Sequence, residues 1–151
     1  GKSQTDAPET TGAAVGVSML GVDARYTYSN LELKAQYIST KLSDTEAYNE
    51  LTGKDLGSKM VGWYTEIAYS FDLKNEQALT PFLRYEKYNT HAGTDGAVAM
   101  NMAYDRNDLI IGLNYKIVEG AAFKMDYQIL NNEVAATDAK KQFNAGVAIA
   151  F

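Results

Sequence analysis

The stretch that decides the fold is Phe123-Lys124-Met125-Asp126-Tyr127-Gln128-Ile129, in which apolar and polar residues alternate. Because successive side chains of a β-strand point to opposite faces of a sheet, this order predicts a strand with one apolar and one polar face. The same alternation recurs in six other stretches, and none of the seven keeps a helical period. The predicted strands cover residues 20–28, 31–37, 61–71, 79–86, 109–116, 122–129 and 143–151. The sequence therefore predicts an all-β protein.

The connections between these strands alternate in length. Short connections lie at 29–30, 72–78 and 117–121, and long connections lie at 40–59, 88–108 and 131–141. In an antiparallel meander this order puts the short turns on one rim, the turn rim, and the long loops on the other, the loop rim. Outer-membrane barrels are built this way, with short periplasmic turns and longer extracellular loops. The sequence thus predicts a transmembrane antiparallel up-and-down β-barrel.

The composition excludes several classes of function. The chain has 151 residues, a net charge of −5 and a single histidine, and it contains no cysteine. Without cysteine there is no disulfide, no Cys-ligated zinc, no iron–sulfur cluster and no thiol nucleophile. A net acidic chain without a basic block lacks the positive surface that nucleic acid requires. No apolar run reaches the roughly 18–20 residues of a membrane-spanning helix, a criterion that does not apply to barrel strands.

Aromatic side chains on the apolar faces of the predicted strands form two bands. Rings at both water–lipid boundaries, with aliphatic side chains between them, are typical of membrane barrels. The predicted lipid-facing girdle residues are Tyr28, Phe71, Tyr115, Phe123 and Phe151 near the turn rim, and Tyr37, Trp63, Tyr85, Tyr127 and Phe143 near the loop rim. The alternative is that these rings pack the core of a soluble, ligand-binding β-barrel.

The opposite faces of the same strands carry acidic and basic residues in about equal numbers. A dry core could not hold so many charges, because an unpaired buried charge costs several kcal/mol. If the apolar face meets lipid, the charged face lines a wet lumen. The predicted pore-lining residues are Arg25, Lys34, Glu66, Arg84, Glu86, Lys116, Lys124 and Asp126. In a narrow barrel these charges would pair across the lumen, giving a structural or adhesin-type barrel without an open pore.

The last predicted strand, residues 143–151, alternates and ends in phenylalanine. It resembles the final strand of bacterial outer-membrane proteins, which the barrel-assembly machinery reads. Residues 62–64, 79–86 and 111–116 resemble the C-terminal part of phosphate-selective porins of the O and P kind. The resemblance implies a trimeric pore for passive diffusion of small, often anionic, hydrophilic solutes. It implies the bacterial outer membrane as location, with its lipid and lipopolysaccharide as neighbours, and no cofactor.

Seven predicted strands are an odd number, whereas bacterial outer-membrane barrels have an even number with both termini on the periplasmic side. We therefore interpret residues 1–151 as the C-terminal part of one larger barrel domain. The alternative is a complete eight-stranded barrel, which would need a further strand within residues 1–19. Residues 1–11 are polar and are predicted to form a loop. A bulge near residues 19–21 would join the apolar residues upstream to the first strand.

Few residues outside the strands suggest chemistry. His91, in the predicted loop 88–108, has no serine or aspartate at the spacing of a catalytic triad, so we predict a solvated histidine and no enzyme. Two acidic clusters carry the oxygen ligands that calcium prefers, but neither has the spacing of a defined calcium loop, and no metal site is predicted. These clusters are Asp44, Glu46 and Glu50, and Asp105, Asn107 and Asp108. The apolar run 97–103 could constrict the pore, cap it, or pack on another protomer.

Overall fold

The structure is a computed structural model, and it describes residues 13–134 and 138–150. Within these residues there are eight β-strands and little helix, so the prediction of an all-β fold is confirmed. The strands are β1 (Gly16–Tyr28), β2 (Leu31–Ser43), β3 (Lys59–Tyr69), β4 (Phe71–Asp72), β5 (Ala78–Gly93), β6 (Asp105–Val118), β7 (Ala121–Asn132) and β8 (Lys140–Ile149). Residues 1–11, predicted as a loop, and Phe151, predicted as a girdle residue, lie outside the described residues.

The strands form one antiparallel sheet in which each long strand pairs with the long strands next to it in sequence. The order is β1-β2-β3-β5-β6-β7-β8, and the two-residue β4 also pairs with β5. Across the described residues the sheet is not closed, since β1 stands at one end of this order and β8 at the other. The antiparallel meander is confirmed, and its closure into a barrel stays a prediction.

The register of the strands aligns each face across the sheet. Leu83 lies opposite Ile111, which lies opposite Tyr127, while Lys34 lies opposite Glu66 on the other side. We call one side the apolar face; it carries the even-numbered residues of β1 and the odd-numbered residues of the later strands. The charged face carries the others. Because the side-chain period is two, a slip by one residue would exchange the faces of a whole strand.

The pairing of β1 corrects one prediction. It continues without a register shift from Gly16 to Tyr28, so the bulge expected near residues 19–21 is wrong. The physical reason is the two-residue turn after Tyr28, which sets the register of the whole hairpin. Val17 and Met19 therefore lie on the charged face, which makes the first half of β1 apolar on both faces.

The strands extend further into the predicted long loops than the alternation indicated. The first long loop narrows to residues 44–58 and the second to residues 94–104. At one place β3 and β5 change register, between Lys59 and Val61, which disturbs the period without ending the pairing. The backbone hydrogen bonds of the sheet thus extend beyond the residues in which apolar and polar side chains alternate.

A short helix, α1 (Thr45–Thr52), lies in the first long loop and was not predicted. Its Asn49 side chain exchanges two hydrogen bonds with the backbone of Leu56, at 2.9 and 2.8 Å. The Thr45 hydroxyl donates to Asp95 in the second long loop, with 2.7 Å between the oxygens. These bonds tie the two long loops together. In the described part of the chain, no helix has the length and apolar character to cross a bilayer.

Candidate functional site

Side-chain exposure in this sheet is the reverse of what a soluble protein shows. Among the described residues, the buried hydrophobic ones are Ala13, Val15, Ala68 and Ile110. The buried polar or charged ones are Thr40, Thr45, Asn49, Glu66, His91 and Asp108. An apolar sheet face is normally covered by a second layer of structure, but the described residues provide no such layer. The more buried of the two faces is the charged one.

The predicted girdle residues lie together on the apolar face, except for Phe151, which lies outside the described residues. Several are direct cross-strand partners: Tyr37 lies opposite Trp63, and Tyr127 lies opposite Phe143. Exposure of these rings runs from 39% for Tyr85 to 69% for Tyr28, with Tyr115 half-buried. At the turn rim Tyr115 lies opposite Phe123, whereas at the loop rim β6 carries no aromatic residue on this face and separates Tyr85 from Tyr127. That lipid covers these rings stays a prediction.

On the charged face, five side chains form a chain of ion pairs across four strands. The Glu66 carboxylate accepts hydrogen bonds from Nη2 and Nε of Arg84, at 2.6 and 2.8 Å, and from Nζ of Lys34, at 3.1 Å. Lys34 also contacts Glu32, at 2.6 Å, and Glu32 pairs with Arg25. Only 8% of the Glu66 side chain is exposed, so this carboxylate is enclosed by its two cations.

Two aromatic rings on the charged face pack around these ion pairs. The Arg84 guanidinium lies 4.6 Å from the centroid of the Tyr64 ring, a cation–π geometry. The Phe82 ring occupies the space over Gly112, its partner on β6, where a Cβ atom would overlap the ring. Glycine at this position therefore lets the ring lie close to the sheet.

A recess of about 230 Å³ opens on the charged face beside the ion pairs. It is lined by Lys34, Glu66, Phe82, Arg84, Asn114, Lys124, Met125 and Asp126. Asp126 accepts hydrogen bonds from the amides of Gln128 and Asn144, each at 2.8 Å. The recess thus offers fixed positive and negative charges beside an aromatic ring.

All eight predicted pore-lining residues lie on the charged face, and five of them border the recess. Arg25 joins the others through Glu32. Glu86 lies nearer the loop rim, directly opposite Asp108, and Lys116 lies nearer the turn rim. The structure thus brings six of the eight into one cluster and leaves Glu86 and Lys116 apart from it. That they line a lumen stays a prediction.

Three residues outside the predicted pore-lining set complete this face. Glu32 bridges Arg25 and Lys34, and Tyr64 receives the Arg84 guanidinium. Phe82 is apolar in a polar register and packs over Gly112. All three have the period-two position that the sequence assigns to the charged face.

The prediction of a loop over residues 88–108 is wrong at both of its ends, where the residues belong to strands. His91 does not lie in a solvated loop: it belongs to β5, is 5% exposed, and its ring centroid is 4.6 Å from that of Tyr104. Pairing of β3 with β5 continues to Gly93, so His91 lies within the paired strand, next to Tyr104 and Gly57. Asp105 and Asp108 belong to β6 and lie on its opposite faces, so their carboxylates cannot converge on one ion. Over the described ranges, no three His, Asp or Glu side chains are grouped to hold a metal.

The chain matches no protein-family model, no curated protein and no solved structure. The chemistry of the two faces is therefore the ground on which its function is inferred.

Proposed function

We propose that this chain is part of a transmembrane β-barrel in the bacterial outer membrane and that it contributes one side of a passive diffusion channel. The observation that carries the proposal is the reversed exposure of the sheet, in which large apolar side chains are exposed on one continuous face. Lipid is the environment in which such a face is stable, because in water it would be an aggregation surface. The charged face then meets water inside the barrel.

The direction of the strands limits how the proposed barrel can close. An unpaired sheet edge is not stable at membrane depth, because lipid cannot satisfy its N–H and C=O groups. With seven long antiparallel strands in the order, β1 and β8 run in the same direction. Direct pairing of these two strands would therefore be parallel. An odd number of further strands would close the barrel with antiparallel pairs only, and this holds for an eight-stranded barrel as well as for a larger one.

The proposed mechanism is diffusion through a lumen with fixed charges of both signs. Glu86 lies toward the loop rim, whereas Lys116 and Lys124 lie toward the turn rim. In a confined lumen these charges act on a partly dehydrated solute with little screening. Solutes would be filtered by width and by these local fields. The trimeric state stays a prediction from the resemblance.

The proposal is tested by ion selectivity in planar bilayers. Arg84 and Glu86 are successive residues of β5 on the charged face, so their charges act on the same part of the lumen. We expect Glu86→Gln to shift permeability toward anions and Arg84→Gln to shift it toward cations. The shifts should grow at low salt, since the Debye length is about 30 Å at 0.01 M and about 3 Å at 1 M. The measurement is the reversal potential across a salt gradient.

The matched control is Glu119→Gln, which removes one charge in the turn between β6 and β7. At 1 M salt it should leave the reversal potential unchanged, because the turn lies outside the strands and its charge is screened within about 3 Å. Wild-type selectivity in both β5 variants would mean that Arg84 and Glu86 do not border the conducting path. If the wild-type protein inserts but does not conduct, a structural barrel with paired lumen charges replaces the channel.

A further inference from the structure

Lysines on the apolar face lie only at its loop-rim end. Within the described strands, this face carries four of them: Lys41, Lys59, Lys87 and Lys141. In each strand the lysine lies two or four residues from the aromatic residue of the loop-rim band, on the side nearer the loops. We call these four residues the lysine belt. The described strands place no lysine or arginine on this face at the turn rim.

Two members of the belt form a like-charged pair. Lys41 and Lys59 are directly opposite each other on β2 and β3, and both are exposed. Like charges in direct cross-strand contact destabilise a sheet. Within the described residues, neither lysine has a carboxylate oxygen within 4.0 Å, nor does Lys141, whereas Lys87 lies 3.7 and 3.5 Å from two carboxylates. The belt therefore carries uncompensated positive charge that an external anion could neutralise.

A recess of about 260 Å³ lies on the apolar face at the level of the belt. Its apolar walls include Val61, Trp63 and Met100, and Lys87, Asn89 and Asp105 also border it. Lys87 is paired with Asp105 here, so the recess itself supplies the apolar walls. The positive charge without a carboxylate partner lies on the neighbouring Lys41 and Lys59. Apolar walls close to such cations match an amphiphile that carries hydrocarbon beside an anionic head. A free anion such as inorganic phosphate would have no use for the apolar walls.

We propose that the lysine belt binds the phosphate groups of lipid A, the phosphorylated glucosamine lipid of lipopolysaccharide. The inference rests on the proposed function, which puts the apolar face in lipid and the loop rim outside the cell. The belt lies just beyond the aromatic band, and aromatic bands mark the level of the headgroups. The lysine belt is restricted to the loop rim, as expected for a membrane in which only the outer leaflet carries lipid A. Its like-charged pair, Lys41 and Lys59, can bind a headgroup with two phosphates.

The test measures lipid binding to the full chain by native mass spectrometry, with lipid A and phosphatidylglycerol as separate probes. Lys41→Gln/Lys59→Gln removes the like-charged pair, and Lys116→Gln/Lys124→Gln removes the same charge from the charged face. Each lysine at a membrane surface contributes about 1 kcal/mol, so the first variant should bind lipid A about 30-fold more weakly. The second should stay within about twofold of wild type. Loss of a repulsive pair leaves the fold of the first variant intact.

Insertion into phosphatidylcholine vesicles, followed by protease protection, separates this inference from the proposed function. Inserted proteins with equal lipid A affinity in wild type and Lys41→Gln/Lys59→Gln would overturn the belt and leave the barrel standing. Equal weakening by both double variants would also overturn it, since the effect would then come from net charge. A phosphatidylglycerol affinity as high as that for lipid A would assign the belt to general anionic lipid instead. A wild-type chain that does not insert contradicts both proposals.

Discussion

Two adjacent residues of β6, Ile110 and Ile111, show how different the faces of this sheet are. Ile110 lies on the charged face, between Arg84 and Gln128, and is 7% exposed. Ile111 lies on the apolar face, between two apolar side chains, and is 52% exposed. The same side chain is therefore buried among charges and exposed among apolar neighbours. Exposure here depends on the face, not on the residue type.

The difference in exposure between Ile110 and Ile111 indicates that side chains are packed closely on the charged face and lie further apart on the apolar face. Crowding on one face is what a sheet curved toward that face produces, as in a barrel wall seen from inside. The long side chains of Arg84 and Lys34 fold along the wall to reach Glu66 and cover the shorter residues between them. An apolar core is thus replaced by a polar layer on the inside and, in our proposal, by lipid on the outside.

The comparison is tested most severely by placing one charge on each face of β6. Leu113→Arg puts the charge on the apolar face, and Asn114→Arg puts it next door on the charged face. An arginine at mid-membrane on a lipid-facing site costs about 2–4 kcal/mol, so Leu113→Arg should lower the free energy of unfolding by that amount. Asn114→Arg should change it far less. Equal unfolding free energies, measured by denaturant titration in lipid, would overturn the assignment of the faces.

The next largest effect is expected from removing the carboxylate at the centre of the ion pairs. Glu66→Gln leaves Lys34 and Arg84 without their shared anion, and hydrogen bonds to charged groups contribute about 1.5–3 kcal/mol. We expect a loss of unfolding free energy in that range. The control is Glu86→Gln, since Glu86 has no cation within 4.0 Å among the described residues. A loss of equal size in both variants would mean that Glu66 is not a special position.

The smallest effect concerns the packing of a ring against the charged face. Gly112→Ala places a methyl group where Phe82 lies, and overpacking of this kind costs about 1–3 kcal/mol. In the proposed channel it should also narrow the lumen, because the ring must move away from the sheet. Gly146→Ala, on the same face of β8, has open space around its Cβ position and should be neutral. Unfolding free energy and single-channel conductance check both expectations.

The strands could be predicted from the sequence because the pleat imposes one short period. The stretch quoted first, Phe123 to Ile129, lies within β7 and keeps that period throughout. The prediction failed where tertiary contacts decide. Helix α1 has too few residues to show a period, and its position depends on the bond from Thr45 to Asp95, 50 residues later in the sequence.

The candidate site could be predicted only as a face. Alternation placed Lys34, Glu66 and Arg84 on the same side, but it contains no information on which residues of different strands are opposite each other. That information comes from the register, which the turns set. His91 shows the converse: its burial follows from the pairing of β3 with β5 beyond a bulge, a feature that no local pattern indicates.

The ion pairs of the charged face stop at β5, and this has a consequence for how the sheet opens. Side-chain ion pairs connect four neighbouring strands, β1, β2, β3 and β5. The residues that form them are Arg25, Glu32, Lys34, Glu66 and Arg84. On the same face of β7 and β8, Asp126 and Asn144 are joined by an amide hydrogen bond. The sheet thus has a cross-linked half and a half held mainly by its backbone ladder. In a hydrogen-exchange experiment, the amide protons of β7 and β8 should exchange before those of β2 and β3, as two separate cooperative units.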